Sequence, residues 1–156
     1  METLNLLLDG FGIALTLDNF ILALIGCVLG TIFGALPGLG PANGVAILIP
    51  LSFSLGLSAA SSMILLASVY YGAMYGGRIS SILLNIPGDE PALMTTLDGY
   101  PMTQQGRAGE ALTLTGLASF FGAMFATVGL VLLAPQLVKV AFLFGPAEYF
   151  ALFVMA

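Results

Sequence analysis

The chain has 156 residues, of which 59% are hydrophobic and 7% are charged, and its mean hydropathy is +1.08. Because a soluble domain carries about 25% charged residues, this composition excludes an ordinary water-soluble globular protein and predicts one that spans a membrane. A net charge of −5 with three basic residues argues against nucleic-acid binding. With no histidine and one cysteine, the chain alone cannot build a histidine relay or a zinc site of nitrogen and sulfur ligands.

The first half of the chain is predicted to hold an interfacial helix, a broken hairpin and a span. Residues 1–18 mix apolar side chains with three acids, which favours a helix lying at the membrane surface. Residues 19–77 carry no charge and are too long for one crossing. The run PGLGPANG at 37–44 cannot continue a regular helix. We therefore expect a broken helical hairpin over 19–57 with its tip at 37–44, and then a span at 58–77.

The second half is predicted to contain a short half-helix at 78–88, a polar loop at 89–110 and a span at 111–138 with a break at Pro135. A further apolar segment begins over 139–156, and we expect the natural protein to continue beyond it. These elements predict one all-α transmembrane domain, a polytopic helical bundle with broken or re-entrant helices.

Small residues recur every four positions in three of the predicted helices. Gly26, Gly30 and Gly34 share one helix face, Gly72 and Gly76 share another, and Ala118, Gly122 and Ala126 share a third. This spacing lets helix backbones approach closely in lipid, so the glycines predict tight packing between helices.

The hairpin tip is the first candidate for a functional site. An unwound backbone inside a membrane is tolerated only where protein or a water-filled cavity satisfies its polar groups. Broken helices of this kind offer N–H groups to anions and carbonyl groups to Na⁺ in secondary transporters. The alternative is an ordinary turn at the membrane surface. The candidate binding residues of this tip are Pro37, Gly38, Gly40 and Asn43.

Two further polar clusters follow the second span. Ser80, Ser81 and Asn85 place hydroxyl and amide groups where Ser81 and Asn85, four residues apart, would share a helix face. They can bind a carboxylate or a small cation, or else form hydrogen bonds between helices. The third candidate is a run of hydroxyl and acidic groups that can bind a coupling ion, cap a helix or lie in a solvated loop; it comprises Thr95, Thr96 and Asp98.

The acids Asp89 and Glu90, which follow the short half-helix, are taken as surface charges. No catalytic residue and no metal site is predicted.

Three stretches of the sequence resemble the TctA family, the large membrane subunit of bacterial tripartite tricarboxylate transporters. They are GCVLGTIFGALPGLGPANGVAILIPLSF, then YYGAMYGGRISSILLNIPGDEPALMTTLDGYPMTQQGRAGEAL, and FGPAEYF. By motif match, the first family motif covers Pro37, Gly38, Gly40 and Asn43, and the second covers Asn85, Pro87 and Gly88, with Thr95, Thr96 and Asp98 downstream.

The resemblance implies one half of a two-repeat secondary transporter in the bacterial inner membrane, with no enzymatic activity and no cofactor. It also implies a small four-helix membrane subunit and a periplasmic solute-binding protein as partners. The substrates would be tricarboxylates or related small organic anions, taken up with Na⁺ or H⁺. Asp98 is the predicted coupling residue if protons drive uptake.

Other functional classes remain open at this point. The chain could form a homo-oligomeric channel, or it could be a truncated transporter fragment without function. A membrane-embedded enzyme is disfavoured, because the chain lacks histidine, paired carboxylates within a span and a serine nucleophile motif.

Overall fold

A computed structural model of the chain describes residues 2–142 and 144–155. Within these residues it contains seven α-helices and no β-strand, which confirms the predicted all-α fold. The helices are α1 (Glu2–Ala14), α2 (Leu17–Ala35), α3 (Gly40–Ser54), α4 (Ala59–Leu84), α5 (Leu93–Gln104), α6 (Ala108–Ala141) and α7 (Pro146–Met155). Positions 143 and 156 of the last predicted segment lie outside the described residues.

Helices α2 and α4 form the closest helix pair of the structure. Gly26 contacts the backbone of α4 at Leu65, and Gly34 contacts it at Ala73, so the two helices run in the same direction. A Cβ atom on Gly30 or Gly34 would overlap a carbonyl oxygen of α4, and one on Gly72 would overlap a carbonyl oxygen of α2. The predicted role of these glycines in close helix packing is confirmed. The third predicted face does not pack in this way among the described residues, because a Cβ atom on Gly122 would meet nothing within 4 Å.

Helix α3 returns along this pair from the predicted hairpin tip. The chain leaves the helical conformation only between Ala35 and Gly40, so most of the run at 37–44 belongs to the first turns of α3. Fifteen residues of helix span about 22 Å, which is less than the roughly 30 Å hydrocarbon core of a bilayer. Leu48 of α3 packs against Leu65 and Val69 of α4 in the buried core.

Helix α4 is continuous through the point where the sequence predicted a boundary between a span at 58–77 and a half-helix at 78–88. The structure has one helix of 26 residues there. The glycines at 76 and 77 do not end it, because each lies where another segment packs closely: Gly76 against the backbone of α2, and Gly77 against Asp89. Packing therefore overrides the weak helix propensity of glycine.

The predicted polar loop at 89–110 contains helix α5 and the start of α6. Helix α5 is polar, but it packs on the end of α4, where Gly99 contacts the buried Ile82. The Thr103 hydroxyl donates a hydrogen bond of 2.8 Å to the Ile82 carbonyl oxygen. A tertiary contact thus supports a helix that composition alone did not reveal.

Helix α6 is longer than the span predicted at 111–138, and it continues through position 135 without the expected break. Membrane helices tolerate proline where nearby groups satisfy the freed carbonyl. Contacts divide the chain into one compact unit up to Gly116 and a second from Leu117 onward. In the first unit, the Tyr75 hydroxyl donates a hydrogen bond of 3.4 Å to the Leu112 carbonyl oxygen of α6. In the second unit, none of the described residues is buried.

The outer surface is strongly apolar. Leucine, isoleucine, valine and phenylalanine side chains are exposed on almost every helix, as expected of a surface that faces lipid or other membrane helices. Among the described residues, α2 and the segment Ala108–Ala134 are long and apolar enough to cross a membrane. Helix α4 lies among α2, α3 and α5 and carries more of the described buried residues than any other helix.

Candidate functional site between two turns

The turn between α2 and α3 requires glycine at two positions. Gly38 has φ of 89° and Gly40 has φ of 63°, both in the left-handed region that side chains disfavour. These two residues let the chain reverse within four residues and start α3 immediately. The tight reversal exposes the first backbone N–H groups of α3 at the end of the turn.

This turn lies beside the middle of α4 and not at its end. Gly34 packs at the level of Ala73, whereas α4 continues to Leu84, about 16 Å further along the helix axis. The tip of the hairpin is therefore flanked by a longer helix, and the last turns of α4 extend past it.

A second turn, residues 85–92, folds back along α4 to the same level. Asn85 ends α4 in the left-handed conformation, with φ of 59°. Further along the turn, the Gly88 N–H donates a hydrogen bond of 3.4 Å to the Gly77 carbonyl oxygen. A Cβ atom on Gly88 would lie 2.5 Å from the Gly34 carbonyl oxygen and 2.5 Å from the Gly77 Cα. Gly88 thus brings this turn against both α2 and α4.

The two turns and α4 line a half-open cavity of about 450 Å³. Its lining consists of residues 38–43 from the first turn, Tyr70 and Met74 from α4, and residues 88–91 from the second turn. This volume lies in the range of about 300–1,000 Å³ that is typical of small-molecule sites. Of the predicted site residues, Gly38, Gly40, Asn43 and Gly88 line the cavity.

Hydrogen-bond donors converge on the cavity from the first turn and from α4. Helix α3 has no side-chain cap, so the N–H groups of Gly40 and Ala42 have no acceptor within the helix, and Pro41 has no N–H. The exposed Asn43 amide and the Tyr70 phenol add side-chain donors. This arrangement can hold a carboxylate without a basic residue.

Two acids line the cavity on the second turn, and no basic residue is among its described lining residues. Asp89 Oδ1 accepts a hydrogen bond of 3.0 Å from the Ala92 N–H, whereas its Oδ2 is buried without a partner in the described structure. The expectation that Asp89 is a surface charge is therefore wrong, since it is half-buried; Glu90 is exposed. No group of three acid, histidine or cysteine side chains that could hold a metal occurs among the described residues.

Ser80, Ser81 and Asn85 do not line the cavity. Both serines are buried, and their hydroxyls donate hydrogen bonds of 3.0 and 2.8 Å to the Gly77 carbonyl oxygen in their own helix. Asn85 does not share a helix face with Ser81, as the sequence suggested, because the backbone turns left-handed at Asn85. Their role in substrate binding stays a prediction.

The remaining predicted residues also lie outside the cavity lining. The Thr96 hydroxyl donates to the Leu93 carbonyl oxygen at 2.6 Å, and Asp98 is exposed on α5. Thr95 and Pro87 are half-buried, and Pro37 is exposed. A binding role for this group, and ion coupling by Asp98, likewise stay predictions.

Sequence reasoning missed Tyr70, Met74 and Asp89 as lining residues. Tyr70 and Met74 are four residues apart and share a face of α4, but their spacing alone does not tell which segment that face meets. The signal that was available is that Tyr70 and Met74 each lie two residues before a packing glycine, Gly72 and Gly76, and these glycines fix how α4 is rotated against α2.

Comparison of the chain with known proteins identifies a family. Residues 20–156 match the Tripartite tricarboxylate transporter TctA family. The chain is 44% identical over 155 residues to an uncharacterized 52.8 kDa protein in the TAR-I ttuC' 3' region of Agrobacterium vitis, covering 99% of this chain and 30% of that protein. It is 30% identical over 107 residues to an uncharacterized protein of Methanocaldococcus jannaschii, covering 69% of this chain and 26% of that protein.

The chain thus spans less than a third of the length of these curated relatives. No solved structure matches it. The family match covers both turns of the cavity and nearly all of the described helices. The resemblance seen in the sequence is confirmed, and the chain belongs to the Tripartite tricarboxylate transporter TctA family.

Proposed function

We propose that this chain forms part of the membrane subunit of a secondary transporter that imports tricarboxylates or related small organic anions. The transporter would lie in the bacterial inner membrane as a multi-pass protein. A periplasmic solute-binding protein would deliver the substrate, and a small four-helix subunit would complete the membrane complex. Family membership supports transport over catalysis.

The cavity between the two turns is the observation that carries this proposal. Its lining includes backbone N–H groups at the start of α3 and the Asn43 amide. Two glycines that pack closely against neighbouring backbone hold its walls together. Neutral donors of this kind bind a carboxylate but leave it free to depart, because they lack the strong attraction of a buried basic residue. A transported substrate requires both properties.

We propose further that uptake is coupled to a cation, Na⁺ or H⁺, which reaches the acids of the second turn. Asp89 and Glu90 line the same cavity, and two like charges beside an anionic substrate would repel it. A bound cation removes that repulsion, and the unpartnered Oδ2 of Asp89 is a suitable acceptor for it. The cavity therefore favours Asp89 over Asp98 as the coupling carboxylate.

The test compares two amide variants made at the native chromosomal locus, so that every natural partner is present. Asn43→Ala removes a cavity amide, and we expect uptake of radiolabelled tricarboxylate to fall about tenfold at normal membrane abundance. The matched control is Gln105→Ala, which removes an exposed amide outside the cavity and should keep wild-type uptake. Uptake at the wild-type level in Asn43→Ala would refute the proposed site.

A further inference from the structure

We infer that Tyr70 contacts the substrate, and that its phenol hydroxyl donates a hydrogen bond to one carboxylate group in the cavity. Tyr70 lies on α4, and together with Met74 it forms the helical wall of the cavity. The inference rests on the proposed function, because it assigns a substrate contact within that same site.

Among the described residues, the hydroxyls of Tyr70, Tyr71 and Tyr100 make no hydrogen bond, and of these three tyrosines Tyr70 is the one that lines the cavity. The Tyr75 hydroxyl donates to the Leu112 carbonyl oxygen, and the Tyr149 hydroxyl donates to the Ala141 carbonyl oxygen. In the described part of the chain, Tyr70 has only an edge-to-face ring contact with Tyr71, at 6.4 Å between ring centroids. A phenol hydroxyl usually has a hydrogen-bond partner, and a ligand in the cavity can supply one to Tyr70.

Charge in the cavity determines where a carboxylate group binds. The second turn brings Asp89 and Glu90 to the lining, and these repel a carboxylate placed beside them. The first turn and α4 supply only neutral donors, namely the N–H groups of α3, the Asn43 amide and the Tyr70 hydroxyl. A carboxylate group therefore binds on the side of Asn43 and Tyr70.

The sequence contains an internal control for this contact. Tyr71 is the next residue along α4, is also exposed, and does not line the cavity. Tyr70→Phe and Tyr71→Phe each remove a single hydroxyl and keep the ring. The two variants thus change the helix and its lipid-facing surface almost equally, and they differ in whether the lost hydroxyl belongs to the cavity.

The experiment measures KM and maximal rate for radiolabelled tricarboxylate uptake, with both variants at the native locus. A hydrogen bond to a charged group is worth about a tenfold to hundredfold change in affinity. We expect Tyr70→Phe to raise KM by about tenfold or more at normal membrane abundance, and Tyr71→Phe to stay within about twofold of wild type. Equal KM values for the two variants would overturn the inference.

A second readout separates substrate contact from a structural role. We expect Tyr70→Phe to reduce the preference of the transporter for the tricarboxylate over its mono-carboxamide analogue, because the hydroxyl bonds the charged group more strongly than the amide. An unchanged preference would contradict the contact. If Asn43→Ala impairs uptake and Tyr70→Phe does not, the inference fails and the proposed function stands. If neither variant affects uptake, both fail.

Discussion

Gly88 is the residue whose substitution most directly tests how the cavity is held together. A Cβ atom there would lie 2.5 Å from the Gly77 Cα and 2.5 Å from the Gly34 carbonyl oxygen. Carbon atoms in contact prefer about 3.5–4.0 Å, so Gly88→Ala must move the second turn away by about 1 Å. The φ of Gly88 is not in the left-handed region, so the expected effect is steric.

The cost follows from this displacement. Overpacking by one methyl group costs about 1–3 kcal/mol of stability when the neighbouring atoms belong to the backbone, as they do here. A shift of about 1 Å in a binding site can lower its rate by up to about 100-fold. We therefore expect Gly88→Ala to reduce tricarboxylate uptake by about tenfold or more, measured at the native locus and normalised to membrane abundance.

Gly109→Ala is the matched control for Gly88→Ala. Gly109 lies in the first turn of α6, and a Cβ atom there would meet nothing within 4 Å. We expect this variant to keep wild-type uptake. The steric reasoning would be refuted if Gly88→Ala transported normally, or if both variants lost the same fraction of activity.

Three further substitutions, one of them with a matched control, separate packing from binding. Gly30→Ala, whose Cβ would overlap an α4 carbonyl, should lower the melting temperature of the detergent-purified protein by about 5 °C, whereas Gly122→Ala, with nothing within 4 Å, should not. Thr103→Val removes the 2.8 Å hydrogen bond to the Ile82 carbonyl, and hydrogen exchange in α5 should quicken about fivefold; unchanged exchange would contradict the α4–α5 contact. Ser81→Ala should leave KM for uptake unchanged, because that hydroxyl bonds its own helix, and a raised KM would restore Ser81 to the binding site.

The fold was predictable where the sequence carries a local physical signal. The glycines at 26, 30 and 34 have a helical spacing that has few uses other than close packing, and the structure places them against α4. The run at 37–44 contains two prolines that end one helix and begin another. In both places the backbone itself limits the conformations that the chain can adopt.

The elements that were misjudged depend on tertiary contacts. Gly77 looked like the end of a span, but Asp89 packs against it and α4 continues. Residues 93–104 looked like a polar loop, but Gly99 and Thr103 dock them on the end of α4 as a helix. No periodic pattern in the sequence marks either contact.

Part of the candidate site could be predicted from local backbone signals, and the rest depends on tertiary contacts. Gly38, Gly40 and Asn43 could be identified because a broken helix inside a membrane exposes its backbone. Gly88 was identified through the family motif. Tyr70 and Asp89 could not be assigned, because their place in the cavity depends on how far the second turn folds back along α4.

The central claim is that the cavity between the two turns binds the transported anion, and substrate protection of a cysteine in the cavity tests it most directly. Ala42 lines the cavity, whereas Gln105 is exposed at the end of α5 and does not. Ala42→Cys and Gln105→Cys are each placed in a complete transporter in which Cys27 and any other cysteine have been replaced by alanine, and each variant is labelled with a maleimide. We expect tricarboxylate to slow labelling at position 42 and to leave labelling at position 105 unchanged. Equal labelling at position 42 with and without saturating substrate would contradict binding of the anion in this cavity.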